Sequence, residues 1–349
     1  MKNLIIAFTV LFLLLGTAAC GGGSKGGGPT SGQQQEKKEG SAADKPKVAL
    51  LLPGNINDLG WNTIAYEGLK LVEKEYGLTT SYMERVAQSE MEEVFRNYAN
   101  QGFKVIFAHG FQFGDAALKV AKDFPEVKFI VTSHTIAQPP NLCSLIVDNT
   151  EVGFLAGYVA GLATKTGVVG YLGGKDIPPI RDAMYGYIVG AKLANPNVKV
   201  LATMLDTFED VAKAKEQALA FIQQGADVLL GNGNEAGLGV IQACQEKDVL
   251  AIGYSMDQSS AAPNHVLASS LQSYQMAFKH VMGLILDGKW EPIHYRASLN
   301  EGATGIIWNE KVLAKLPAEV KTKTDEIEER IKAGELDIEK MVVEEGLKK

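Results

Sequence analysis

Val48-Ala49-Leu50-Leu51-Leu52, followed by Asn55-Ile56-Asn57-Asp58-Leu59-Gly60-Trp61-Asn62 and a helical stretch that closes at Tyr76-Gly77, is the unit whose reading decides the fold. The first five residues are apolar without alternation, as in a strand covered on both faces. The next eight are polar and small, a loop at the carboxyl end of that strand. Over Asn62–Tyr76 the apolar positions Ile64, Leu69, Leu71 and Val72 gather on one side of a helix, and Gly77 ends it.

The same unit recurs. Further apolar runs at Val105–Ala108, Phe129–Thr132, Val168–Leu172, Val200–Leu205, Val228–Leu230 and Val249–Ile252 predict strands. Helical spacing fills Met91–Gln101, Ala116–Phe124, Val152–Thr164, Ile180–Ala194, Val211–Gln224, Leu238–Lys247 and Met276–Leu286. Alternation of this kind implies parallel sheets with helices on both faces. The units are too many for one sheet. The expectation is an α/β protein of two doubly wound parallel-sheet lobes joined by a multi-strand hinge, with the ligand between them at the carboxyl ends of the strands. The first break falls at Val147-Asp148-Asn149. Residues 47–148 plus 269–299 would form the N-terminal lobe, and 149–268 plus 300–349 the C-terminal lobe and tail. The charged tail from Lys311 is expected to pack on a lobe with its outer face solvated.

Ahead of the folded region, Met1-Lys2-Asn3 leads into the apolar run Leu4–Leu15 and then Gly16-Thr17-Ala18-Ala19-Cys20. A short positive end, a segment too short for a membrane span and small residues describe a secretory signal over 1–19. Cys20 at the cut resembles the lipobox of bacterial lipoproteins, although Thr17 stands where Leu is usual. The implied mature chain is lipid-anchored through Cys20 on the extracytoplasmic face of the cell membrane. Residues 20–46, rich in Gly, Ser, Gln, Lys and Glu, read as a flexible leash.

Composition narrows the function. A net charge of −7 gives no basic face for nucleic acid. There is no Cys-x-x-Cys and no His-x-x-x-His, so a metal site has no support. Gly-x-Ser-x-Gly, Ser-x-x-Lys and the phosphate-binding Gly-Lys-Ser/Thr loop are all missing, and no catalytic set or cofactor is implied. Gly231-Asn232-Gly233-Asn234-Glu235-Ala236-Gly237 follows a strand, but its third glycine is one place late for a dinucleotide fingerprint. Its helix start, with Asn234, suits a small polar ligand instead.

The loops after the strands share a pattern: an aromatic ring beside Asp, Asn or Gln. These are Asp58 to Tyr66 with Trp61 and Asn62, His109-Gly110-Phe111-Gln112-Phe113, Asp206-Thr207-Phe208-Glu209-Asp210 and Tyr254-Ser255-Met256-Asp257-Gln258. Ring faces with amides and carboxylates suit a flat heteroaromatic ligand. The competing reading is that Trp61 and Tyr66 pack inside and that Asp58 caps a helix.

Asp58 to Gly68, Phe154-Leu155-Ala156-Gly157, Gly167 to Gly174 and Ile252-Gly253-Tyr254-Ser255-Met256-Asp257-Gln258 resemble motifs of the basic membrane protein family of lipoproteins, the substrate-binding partners of ABC transporters. The resemblance implies the type I periplasmic-binding-protein fold and a purine base or nucleoside as ligand, delivered to an ABC permease. It implies that Trp61 or Tyr66 and Phe208 sandwich the base while Asp58 reads its edge. Ser255 replaces an Asp that the family's nucleoside binders use for ribose, and Trp61 replaces a Phe, as in the branch that binds bases. Both favour the base over the nucleoside. The site expected is Asp58, Trp61, Asn62, Tyr66, Phe111, Phe208, Asn234, Ser255 and Asp257. A sugar-binding protein, a ligand-sensing surface lipoprotein and an exported nucleoside hydrolase are the alternatives.

Overall fold

A computed structural model describes residues 45–58 and 60–348. The signal segment, Cys20 and most of the leash lie outside the described residues. Two six-stranded sheets form the frame. The first contains β1 (Lys47–Leu51), β2 (Thr80–Met83), β3 (Phe103–Ala108), β4 (Lys128–Thr132) and β5 (Leu142–Val147). The second contains β6 (Val168–Gly173), β7 (Lys199–Met204), β8 (Val228–Asn232), β9 (Leu250–Ser255) and β10 (Val266–Gln272). Two late strands are shared out, β11 (His294–Ala297) beside β5 and β12 (Thr304–Trp308) antiparallel to β10. Every other pairing is parallel.

The helices α1 (Trp61–Tyr76), α2 (Met91–Asn100) and α3 (Gly114–Val120) follow strands of the first sheet. Then come α4 (Asn149–Ala163), α5 (Pro178–Ala194), α6 (Val211–Gln223) and α7 (Asn234–Glu246), which accompany the second. After β10, α8 (Tyr274–Leu286) packs through Phe278 and Tyr274 against Gly68 of α1. The tail forms α9 (Glu310–Leu313), α10 (Glu319–Lys332) and α11 (Ile338–Glu344). Ile327, Ile338 and Val342 bury against Phe154 and Val189 of the second lobe, as an amphipathic tail should.

Helices α4 and α5 show why glycine recurs in that region. A Cβ on Gly157 would sit 2.0 Å from the Tyr187 carbonyl oxygen, and one on Gly190 2.1 Å from that of Phe154. Backbone touches backbone on both sides, so no larger residue fits.

The chain passes between the sheets three times among the described residues: after β5, after β10, and between β11 and β12. The crossings are tied together, Asp148 N to Ala297 O at 2.9 Å and Ser273 N to Ala303 O at 2.7 Å. The second crossing differs from expectation. Residues 269–272, expected in the N-terminal lobe, lie inside β10, which stays in the second sheet to Gln272. Its serines are buried yet satisfied: Ser269 Oγ accepts from Gln258 N, and Ser270 Oγ donates to Gly253 O. Strands β2, β5 and β11 were not predicted either. β2 and β11 are short edges of mixed polarity, and Cys143 and Ser144 interrupt the apolar run of β5.

Candidate functional site

A cavity of about 340 Å³ opens between the lobes at the carboxyl ends of the strands. The first lobe contributes Trp61, Asn62 and Phe111; the second contributes Phe208, Asn232, Asn234, Ser255 and Gln258. Asn149 and Gln272, at two of the hinge crossings, also line it. The lobes meet at its rim. A Cβ placed on Gly60 would lie 3.3 Å from Asn234 Oδ1.

Trp61 is held in place from behind. Its ring stacks on His109 at 4.0 Å between centroids and 28° between planes, and meets Tyr274 edge-on at 5.3 Å. His109 is fully buried at the end of β3. Its Nε2 lies 3.0 Å from the Trp61 carbonyl, which only accepts, so Nε2 carries the proton. Nδ1 then accepts from Thr132 Oγ1 at 3.0 Å, while that hydroxyl accepts from Gly110 N at 2.9 Å. Burial pulls the imidazole pKa down to about 3, against the opposing pull of the Trp61 carbonyl and Asp58. The ring is a neutral platform under Trp61, and reading single residues for chemistry missed it.

Phe208 faces the same cavity from the other lobe, in the loop after β7. Gly174 makes room for it, since a Cβ there would fall 2.3 Å from the ring. Lys175 Nζ stands 5.7 Å from the ring centroid, a cation–π distance. Phe111, half exposed, lies at the lip after Gly110.

Three expected residues are not on the cavity wall. Asp58 caps α1: its two oxygens accept from Gly60 N, Asn62 N, Asn62 Nδ2 and Thr63 N at 2.7–3.0 Å, and the Thr63 hydroxyl, 2.8 Å from the Ile56 carbonyl, lies beside them. Burial pushes its pKa up, but the bonds from Asn62, Thr63 and Gly60 outweigh this and hold it below the ordinary value. Four N–H donors fill the carboxylate's acceptor sites and leave it no capacity to read a ligand edge. Tyr66 is five residues along the helix from Trp61, which turns it away from the cavity, and it packs edge-on against Tyr82 at 4.9 Å. Asp257 is exposed and accepts from Ser259 N, closing a turn.

Asn62 lines the cavity but is partly spent, accepting from Gly54 N and donating to Asp58. Asn232 donates to the Tyr171 hydroxyl at 2.7 Å, and that hydroxyl donates to the Ile180 carbonyl. Ser255, in a left-handed conformation at φ 71°, donates to Gln272 Oε1 at 3.2 Å, and Gln272 Nε2 donates to Asn149 Oδ1 at 2.7 Å. This neutral chain runs from the end of β9 to two hinge crossings. Asn149, Asn232, Gln258 and Gln272 were not among the expected residues. All four sit at or just beyond a strand's carboxyl end, and Asn232 and Gln258 fall within motifs whose neighbours were singled out instead. Among the described residues no group of acidic, His and Cys side chains is placed to hold a metal.

The family model "Bmp: ABC transporter substrate-binding protein PnrA-like" matches residues 45–341. The chain belongs to this family. It is an extracytoplasmic solute-binding component of an ABC transporter, with the type I periplasmic-binding fold. Among its relatives, a purine-binding protein of Brucella abortus is 27% identical, covering 84% of this chain and 83% of the relative. A nucleoside-binding protein of Lactococcus lactis is 29% identical, covering 70% of this chain and 76% of the relative. A solved ABC-transporter solute-binding protein from Conexibacter woesei superposes with a TM-score of 0.71 at 25% identity, covering 84% of this chain and 98% of that one.

Proposed function

We propose that this PnrA-like protein captures a purine, the free base in preference to the nucleoside, and delivers it to an ABC permease from a lipid anchor at Cys20. One observation carries the reading: Trp61 and Phe208, from different lobes, line one cavity whose remaining polar groups are mostly amides. Two ring faces suit a flat heterocycle, at roughly 1–3 kcal/mol per stacked base. Amides offer both donors and acceptors, which suits a purine edge. The names of the Brucella and Lactococcus relatives support the ligand class. The Ser255–Gln272–Asn149 chain supports the base, because those groups already satisfy one another where a sugar would need them.

Closure over the bound ring would exclude water and present one shape to the permease. Isothermal calorimetry with adenine, guanine, adenosine, guanosine and inosine tests the ligand. Heat is expected with at least one base and less with its nucleoside; no heat with any of the five rejects the purine. Radiolabelled palmitate incorporation that disappears in Cys20→Ala tests the anchor.

A further inference from the structure

Beside the hinge crossings and outside the cavity lining, charged groups form one connected cluster. Arg296 of β11 donates Nε to Asp148 Oδ2 and Nη2 to Asp148 Oδ1, both at 2.7 Å. The same Nη2 reaches Glu339 Oε1 of α11 at 2.8 Å. Glu339 is otherwise fixed to the second lobe. It accepts from Thr150 Oγ1 of α4 at 2.9 Å and pairs with Lys348 at 3.2 Å, which also reaches Asp182 of α5 at 3.4 Å. Around it Ile338 and Val342 are buried against Phe154. Glu339 therefore has several attachments to one lobe and a single bond to the other. That bond joins the two lobes in an arrangement where Gly60 meets Asn234 at the cavity rim.

Both ends of the bond are charged. Burial acts against the Arg296 guanidinium, but Asp148 and Glu339 outweigh it and raise its pKa. Burial likewise acts against the Glu339 carboxylate, but Arg296, Thr150 and Lys348 outweigh it and lower its pKa.

We propose that Glu339 is a positioning residue for lobe closure: the tail helix reaches round the hinge, and its bond to Arg296 favours the closed arrangement. A partly exposed ion pair contributes little to folding. The open and closed forms of a two-lobed protein differ by little as well, so one such bond shifts their ratio several-fold and the apparent affinity with it. The proposal does not depend on which solute is bound.

The test uses the full chain with Glu339→Gln. Without ligand, hydrogen exchange at the rim amide of Asn234, the first residue of α7, is expected to speed up about fivefold while β1 and β6 stay unchanged. The bound solute, whether co-purified or an added purine, should leave about fivefold faster. Arg296→Lys, which also loses the fork on Asp148, should do at least as much, the double variant should be no worse than Arg296→Lys alone, and Glu339→Asp should recover part of the effect. Wild-type protein in 1 M salt should move towards Glu339→Gln, because screening weakens a solvent-reachable pair. Unchanged rim exchange and dissociation in Glu339→Gln, at an unchanged melting midpoint, overturn the proposal. So do additive effects in the double variant. The exchange measurement needs no ligand, so it decides this point even if calorimetry rejects purines.

Discussion

The two walls of the cavity use similar residues for different work. On the first-lobe wall, the segment from Asp58 to Tyr66 holds an acid, an amide and two rings, yet Asp58 and much of Asn62 are consumed in starting α1. Of that segment's two rings, Trp61 faces the cavity, propped by His109. On the second-lobe wall, Phe208 stands beside the start of α7, and Ala236 N of that helix is bonded to the Phe208 carbonyl, so the backbone does the bracing there. A polar side chain in a strand-to-helix loop has two possible clients, the helix amides and the ligand. The wall on which the backbone meets its own needs is the one with side chains to spare.

This contrast is most exposed at Asp58. Asp58→Ala should cost about 3 kcal/mol of folding stability, because a cap is lost and several donors are orphaned together. Urea unfolding would show it; a variant that keeps full stability but loses ligand would put Asp58 back on the ligand. Phe208→Ala should do the reverse. Affinity should fall by about tenfold to a hundredfold, the equivalent of one stacked base, with an unchanged urea midpoint.

His109 sharpens the comparison through pH. Its folded pKa, about 3, lies below the ordinary 6.5, so the unfolded chain takes up a proton that the folded chain refuses. Stability from this group is complete above pH 6.5 and is lost as pH falls towards 3. The loss is about 2 kcal/mol between pH 7 and pH 5. Asp58, lowered from 3.8, acts only in more acid solution, its contribution present above 3.8 and lost as pH falls through the folded value. Denaturant titrations at pH 7 and 5 should therefore differ for wild type and agree more closely for His109→Gln; equal slopes in both would remove the buried neutral ring from the account.

Smaller effects test the rim and the outer face of α1. Gly60→Ala crowds Asn234, so affinity should weaken by about twofold to fivefold, read by calorimetry. Tyr66→Leu should leave affinity unchanged and cost about 1 kcal/mol of stability from the lost contact with Tyr82.

Continuous apolar runs and helix-ending glycines, repeated along the chain, were enough to read two parallel-sheet lobes and a cleft, because burial on both faces leaves a mark on every residue of a strand. The pattern of rings beside polar residues in the loops after strands singled out Trp61, Phe111, Phe208 and Ser255, and the helix start after Gly233 singled out Asn234; all five line the cavity. Sequence alone did not separate Trp61 from Tyr66, or Ser255 from Asp257, since each pair shares a loop and a chemistry; the helical turn between the rings and the Asx turn at Ser259 did that. Nor did it show His109 beneath Trp61, Gln272 joined to Asn149 across 123 residues, or Glu339 reaching Arg296 across 43. Local pattern records what each segment buries, whereas the partner of a polar group is chosen by segments far away in the chain, and only the packed structure brings them within hydrogen-bond reach.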